Sequence, residues 1–192
     1  MKSLKRIALI FASLMMILSV SISVYAKESP AKTSFKASLK QSVITYDGKT
    51  HKPSVVVTDL KGKKLDKKYY TANVKKVKNA GVYIVTVKGK GKYAGSVEKL
   101  TYKINPKKQK VTVSKDKITV KYNRRKATSQ TLKVSKQVGK VTYTTNSSKI
   151  RVNKNGRITV AKGTQKGVYR VTVTVKATNY RTVNKIVKIT VK

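Results

Sequence analysis

An all-β fold of two tandem sandwiches is predicted by three features of the sequence. Apolar residues alternate with period two, turn residues punctuate the runs at short intervals, and a closing segment occurs twice. The alternation is seen at Val55-Val57, Tyr83-Val85-Val87, Tyr169-Val171-Val173-Val175 and Val187-Ile189-Val191. Successive side chains of a strand point to opposite faces, so such runs bury one face and leave the other in water. Val, Ile, Thr and Tyr suit that half-buried, pleated surface. Asp47-Gly48, Lys61-Gly62, Asn79-Ala80-Gly81, Gly89-Lys90-Gly91, Asn155-Gly156 and Lys166-Gly167 supply the turns. Nothing after residue 26 carries a helical stripe, and short strands with frequent turns indicate sandwiches or barrels.

The repeat is Gly81-Val82-Tyr83-Ile84-Val85-Thr86-Val87 against Gly167-Val168-Tyr169-Arg170-Val171-Thr172-Val173. Each copy is followed by a turn containing a tyrosine (Tyr93, Tyr180) and then by a last strand, Val97 to Ile104 and Val183 to Val191. Two like endings predict two related closing hairpins. Proline cannot continue a ladder, so Asn105-Pro106-Lys107-Lys108 marks the boundary. The expected organisation is a flexible start at 27–33, a first sandwich at 34–105, a linker at 106–110 and a second sandwich at 111–192. Tyr83 and Tyr169 stand where a sandwich tyrosine bonds its hydroxyl back to an upstream turn; the alternative is an ordinary inward-facing aromatic.

The N-terminus reads as a secretory signal peptide at 1–26, the alternative being a membrane-spanning helix, since the apolar run is about as long as the shortest spans. Lys2, Lys5 and Arg6 precede an apolar run from Ile7 to Val24, which ends at Val24-Tyr25-Ala26. No second apolar segment of that length follows, so no membrane span is expected in the mature chain. With no cysteine, disulfides, thiolate chemistry and lipid attachment to a thiol are ruled out. The expected location is therefore secreted or extracellular, with retention at the cell surface left to non-covalent contacts.

Charge is the most unusual property. Against 46 Lys and Arg stand 6 Asp and Glu, a net charge of +40. Loss of Lys2, Lys5 and Arg6 with the leader still leaves +37. The excess is spread over both halves, and Asp116 is the one acid of the second. Such a chain repels itself and attracts any polyanion.

Basic residues cluster along the sequence at Lys61, Lys63, Lys64, Lys67 and Lys68; at Lys75, Lys76 and Lys78; at Lys88, Lys90 and Lys92; at Lys107, Lys108 and Lys110; and at Arg124, Arg125 and Lys126. Clusters of this kind can be solvated faces that keep a protein soluble. Mixed charges would serve that end equally well, and these are of one sign. Lysine, a point charge on a flexible stem, predominates, which favours diffuse attraction over bidentate reading. These residues are the candidate polyanion-binding positions, and no sequence-specific nucleic-acid readout is expected.

Catalytic constellations are not found. His51 is the single histidine and reads as a solvated loop residue. No Gly-x-Ser-x-Gly elbow occurs. Asp47 and Asp59 fall in turns, where Asp bonds its own backbone. A glycosidase needs two carboxylates facing each other across a sugar; pairs such as Asp47 with Asp66 could meet in space, which the sequence does not decide. Calcium and zinc sites lack their ligands. No enzyme activity, metal or cofactor is expected.

Two passages carry a family resemblance. Thr45-Tyr46-Asp47-Gly48-Lys49, Lys52-Pro53-Ser54-Val55, Tyr69-Tyr70-Thr71, Asn79-Ala80-Gly81-Val82-Tyr83 and Gly89-Lys90-Gly91-Lys92-Tyr93-Ala94-Gly95 together resemble a bacterial immunoglobulin-like repeat of exported proteins of clostridia and related Gram-positive bacteria. Val141-Thr142-Tyr143-Thr144-Thr145-Asn146-Ser147, followed by Ile150 to Val160, is similar to bacterial Ig-like group 2 domains. The resemblance implies Ig-like sandwiches acting as spacers, stalks or adhesive units without catalytic residues. Two functional expectations follow. One is a non-catalytic surface module held electrostatically to anionic wall polymers. The other is a secreted factor acting on glycosaminoglycan, extracellular DNA or anionic membranes.

Overall fold

The computed structural model describes residues 33–192, so the expected signal peptide lies outside the described residues. Among these residues there are fifteen strands and two three-residue 3-10 turns. No helix among the described residues is long and apolar enough to cross a membrane.

The first half contains β1 (Lys36–Leu39), β2 (Val43–Thr45), β3 (Val55–Thr58), β4 (Tyr70–Asn73), β5 (Gly81–Gly89) and β6 (Val97–Asn105). β1 pairs with β3, and a second sheet has the order β2-β6-β5-β4. Alternation sets its register: Val85 and Val87 of β5 and Tyr102 and Ile104 of β6 point inward and are buried. Phe35, Val57, Leu65, Val87 and Tyr93 form the core cluster, with Phe35, Tyr69 and Tyr93 meeting edge to face.

The second half contains β7 (Thr112–Val113), β8 (Lys117–Val120), β9 (Thr128–Thr131), β10 (Val134–Ser135), β11 (Lys140–Thr145), β12 (Ile150–Val152), β13 (Arg157–Val160), β14 (Gly167–Lys176) and β15 (Val183–Val191). One sheet has the order β11-β14-β15-β8. Facing it, β12-β13-β9 and β10-β7 form one interrupted layer, because Leu132 and Lys133 join β9 to β10 and Lys133 exchanges hydrogen bonds with Ser114. Val171, Val173, Val175, Val187 and Ile189 are wholly buried between the layers. Gly156 closes the β12–β13 turn at φ +76°, and a Cβ there would collide with the Leu132 carbonyl, so only glycine fits.

This strand order is that of an immunoglobulin-like sandwich. Strands equivalent to A, B, E and D face C, F and G, and an A′ segment runs parallel to the last strand. That parallel pairing occurs in both halves, β2 with β6 and β8 with β15. The first half is reduced: the segment between β4 and β5, where the D and E strands would lie, carries only the isolated bridge of Val77 to His51, which precedes β3.

Both repeat tyrosines form the corner. Tyr83 Oη donates to the Asn79 carbonyl at 2.6 Å and Tyr169 Oη to the Gln165 carbonyl at 2.9 Å, each four residues upstream. Contacts also join the two halves. Lys107 N–H donates to the Asn179 carbonyl and Arg181 N–H to the Lys107 carbonyl, at 2.9 and 2.8 Å. Asn179 Oδ1 accepts from Ala80 N–H at 2.7 Å, its Nδ2 donates to Asn79 Oδ1 at 3.1 Å, and Tyr46 meets Tyr180 edge to face.

Candidate anion-binding surface

Turn chemistry occupies three of the carboxylates, those of Asp47, Asp59 and Asp66. Asp59 Oδ1 accepts from the N–H groups of Lys61 and Lys63, and Asp66 Oδ1 accepts from Lys68 N–H to cap a 3-10 turn. Asp47 Oδ1 accepts from Lys49 N–H and lies 2.9 Å from His51 Nε2. These bonds, the one to His51 foremost, hold the Asp47 carboxyl below its ordinary value of 3.8. Burial is the leading cause that raises the phenols of Tyr102 and Tyr143.

His51 stays partly exposed, as its loop position leads one to expect, but its ring has a partner in Asp47. The Asp47-Gly48 turn folds it back onto Asp47, and its backbone exchanges two 2.8 Å hydrogen bonds with Val77.

Asp47 and Asp66 do not meet. Asp47 follows Thr45, which pairs with Asn105 at the Gly81 end of the sheet, whereas Asp66 caps the turn beside Gly89. The length of β5 separates them by about 25 Å, far beyond the spacing of a glycosidase carboxylate pair. Among the described residues no group of three metal-ligating side chains occurs.

The basic clusters are redistributed by the fold. Lys67 and Lys68 lie on the 3-10 turn before β4, and Lys90 and Lys92 on the β5–β6 connection; Lys90 N–H donates to the Tyr69 carbonyl at 2.7 Å. Lys68 Nζ stands 5.2 Å from the Tyr69 ring centroid, and Lys92 Nζ stands 5.5 and 5.3 Å from those of Tyr69 and Tyr93. Lys61, Lys63 and Lys64 join the same end, because Lys64 bridges Thr58, and Thr58 pairs with Lys36 at the start of β1. Lys88, the last lysine of β5, faces outward opposite Thr71 beside this end.

Lys75, Lys76 and Lys78 lie at the opposite end of the first sandwich, next to the Asn79–Asn179 contact. Lys107, Lys108 and Lys110 lie across that contact, with the Lys107 backbone part of it. Arg124, Arg125 and Lys126 are set apart on the β8–β9 turn, where Asn123 Oδ1 accepts from the N–H groups of Arg125 and Lys126.

A further set is invisible as a sequence run. Lys117 pairs with Lys188, and Lys188 with Arg170, across three adjacent strands. All three are exposed on the outward face of the β11-β14-β15-β8 sheet. Outward parity on each strand was the available signal, but the register that aligns them is tertiary. The one ion pair among the described residues is His51–Asp47, so none of the described lysines or arginines is paired with a carboxylate.

No protein-family model and no curated protein matches the chain. Similar solved structures include the N-terminal Ig1-2 module of the Drosophila receptor protein tyrosine phosphatase DLAR, at 8% identity over 83% of this chain and 99% of that one, with a TM-score of 0.32. Murine CEACAM1b matches at 10% identity over 82% and 100%, with a TM-score of 0.33. A titin Ig tandem matches at 14% identity over 81% and 96%, with a TM-score of 0.29. The Ig-like assignment rests on strand order and not on these likenesses.

Proposed function

We propose that this chain is a non-catalytic, exported module of a bacterial cell surface, held there by electrostatic attraction to anionic wall polymers. On this reading, residues 1–26 are a cleaved leader, 106–110 a linker, and the flanking sandwiches a bacterial Ig-like repeat and a group 2 relative. The observation that carries the reading is a net charge of +40 with no described Lys or Arg in an ion pair. Cations left unpaired on rigid sheets and turns remain available to an external polyanion. Lysine in excess of arginine suits contact with a chain of point charges, and counterion release makes such binding steeply salt-dependent.

The test is elution of the mature protein from isolated walls under a salt gradient. Retention at low salt with release as ionic strength rises is the expected result. Retention at high salt, or no association at low salt, overturns the proposal.

A further inference from the structure

The row Lys117–Lys188–Arg170 places like charges side by side on neighbouring strands, an arrangement that destabilises a sheet. The first half shows that the fold does not need it. The register of β5 against β6 repeats in β14 against β15: Tyr83↔Tyr102 corresponds to Tyr169↔Ile189, and Ile84↔Thr101 to Arg170↔Lys188. The same sheet position is thus neutral in one half and doubly cationic in the other. Asp116, the acid nearest in sequence, uses its backbone carbonyl to accept from Lys188 N–H, and its carboxylate is in no ion pair.

We propose that this face of the β11-β14-β15-β8 sheet is the docking surface for a flexible phosphodiester polymer of the wall, lying across the strands along this row. The proposal rests on the electrostatic reading above and names where and what the protein binds. Adjacent strands are about 4.8 Å apart, so the three cations span about 10 Å, a length that a short run of phosphates can follow. The other outward positions are chiefly threonines (Thr119, Thr144, Thr172, Thr174), whose hydroxyls can donate to phosphate oxygens, with Val168 and Ile186 among them and a second like-charged pair, Lys140 and Lys176, where β11 starts and β14 ends. No aromatic ring stands at these positions, so bases have no stacking platform, and a polyol phosphate fits better than a nucleic acid.

The experiment measures binding of synthetic poly(glycerol phosphate) to the mature protein, with heparin and single-stranded DNA of equal charge density as further arms. The variant Lys117→Thr/Arg170→Ile/Lys188→Thr introduces at Arg170 and Lys188 the residues the first half has there. The control Lys154→Thr/Lys162→Thr/Lys166→Thr removes equal charge from exposed loops. The row variant is expected to lose about tenfold or more in affinity and to flatten the salt dependence by about two contacts, while the control loses much less. Amide shifts on titrating the wild type should concentrate in β8, β14 and β15, a readout independent of how well the variant folds. Equal losses in both variants, or shifts spread over both halves, overturn the row while leaving the electrostatic reading intact. Tighter binding of heparin or DNA overturns the choice of polymer. No binding of any of the three at low salt overturns both proposals.

Discussion

Tyr83→Phe removes one hydroxyl and tests whether the corner of the first half also supports the contact between the halves. The lost bond, 2.6 Å to the Asn79 carbonyl, has a net value of about 0.5–1.5 kcal/mol. Asn79 has a second role: its Oδ1 accepts from Asn179 Nδ2, and the next residue, Ala80, donates to Asn179 Oδ1. Loosening the turn weakens both bonds, and losing half of each adds about 1 kcal/mol. Tyr169→Phe removes the matching bond to Gln165, which takes no part in that contact. The expected losses are about 2 kcal/mol for Tyr83→Phe and about 1 kcal/mol for Tyr169→Phe. At about 4–8 °C per kcal/mol for domains of this size, the difference is measurable.

Urea unfolding followed by far-UV circular dichroism and tyrosine fluorescence, at fixed salt, provides the assay. A double-mutant cycle of Tyr83→Phe with Asn179→Ala should show coupling of at least about 0.5 kcal/mol. Equal losses for the two tyrosine variants with no coupling would refute the link. Losses below about 0.3 kcal/mol for both would refute the energetic role of the corner itself.

Three further outcomes are expected. Thermal stability should rise with added salt as screening shortens the reach of repulsion to about 8–10 Å; a melting temperature flat or falling between low and physiological salt in calorimetry would contradict this. Gly156→Ala should cost about 2 kcal/mol or more in urea unfolding, because the φ of +76° and the Leu132 carbonyl both oppose a Cβ. His51→Ala should bring the Asp47 titration, followed by carboxyl carbon shifts, back toward 3.8, since the His51 bond is the main cause of its depression. A depressed carboxylate stabilises the fold above its unfolded value and loses that contribution as pH falls through the folded one. His51→Ala should therefore reduce the acid dependence of stability below about pH 4, and an unchanged Asp47 titration would refute the assignment.

The long strands were legible because their signal is redundant. β5, β6, β14 and β15 run nine or ten residues, enough for alternation to declare the buried face. The two corner tyrosines were legible as candidates from the Gly-Val-Tyr repeat. β7 and β10, at two residues each, carry no period and are held by partners distant in sequence. Lys68 and Lys92 approach the same tyrosine ring because two turns meet, a tertiary event. The row Lys117–Lys188–Arg170 depends on a register spanning over seventy residues, so a search for contiguous basic runs passes over it. The Asp47 partner of His51 was not legible, because the Asp47-Gly48 turn, not the composition of the loop, decides it.

The architecture explains how the chain tolerates so much charge. In a two-layer sandwich half of every strand is structurally free, and a lysine at an outward position disturbs no core contact. Lys188 sits between Val187 and Ile189, both fully buried. The repulsion among outward cations remains as an electrostatic cost of the unbound state. A polyanion that neutralises those cations removes part of that cost, and binding only the folded state must stabilise it by mass action. Binding and stability are then two readings of one free energy: the polymer that binds most tightly through the folded surface should raise the melting temperature most at a given concentration. Removing the cations of the binding face should stabilise the free protein while diminishing that rise. A mutation that weakened binding by unfolding the sheet would instead lower the stability of the free protein.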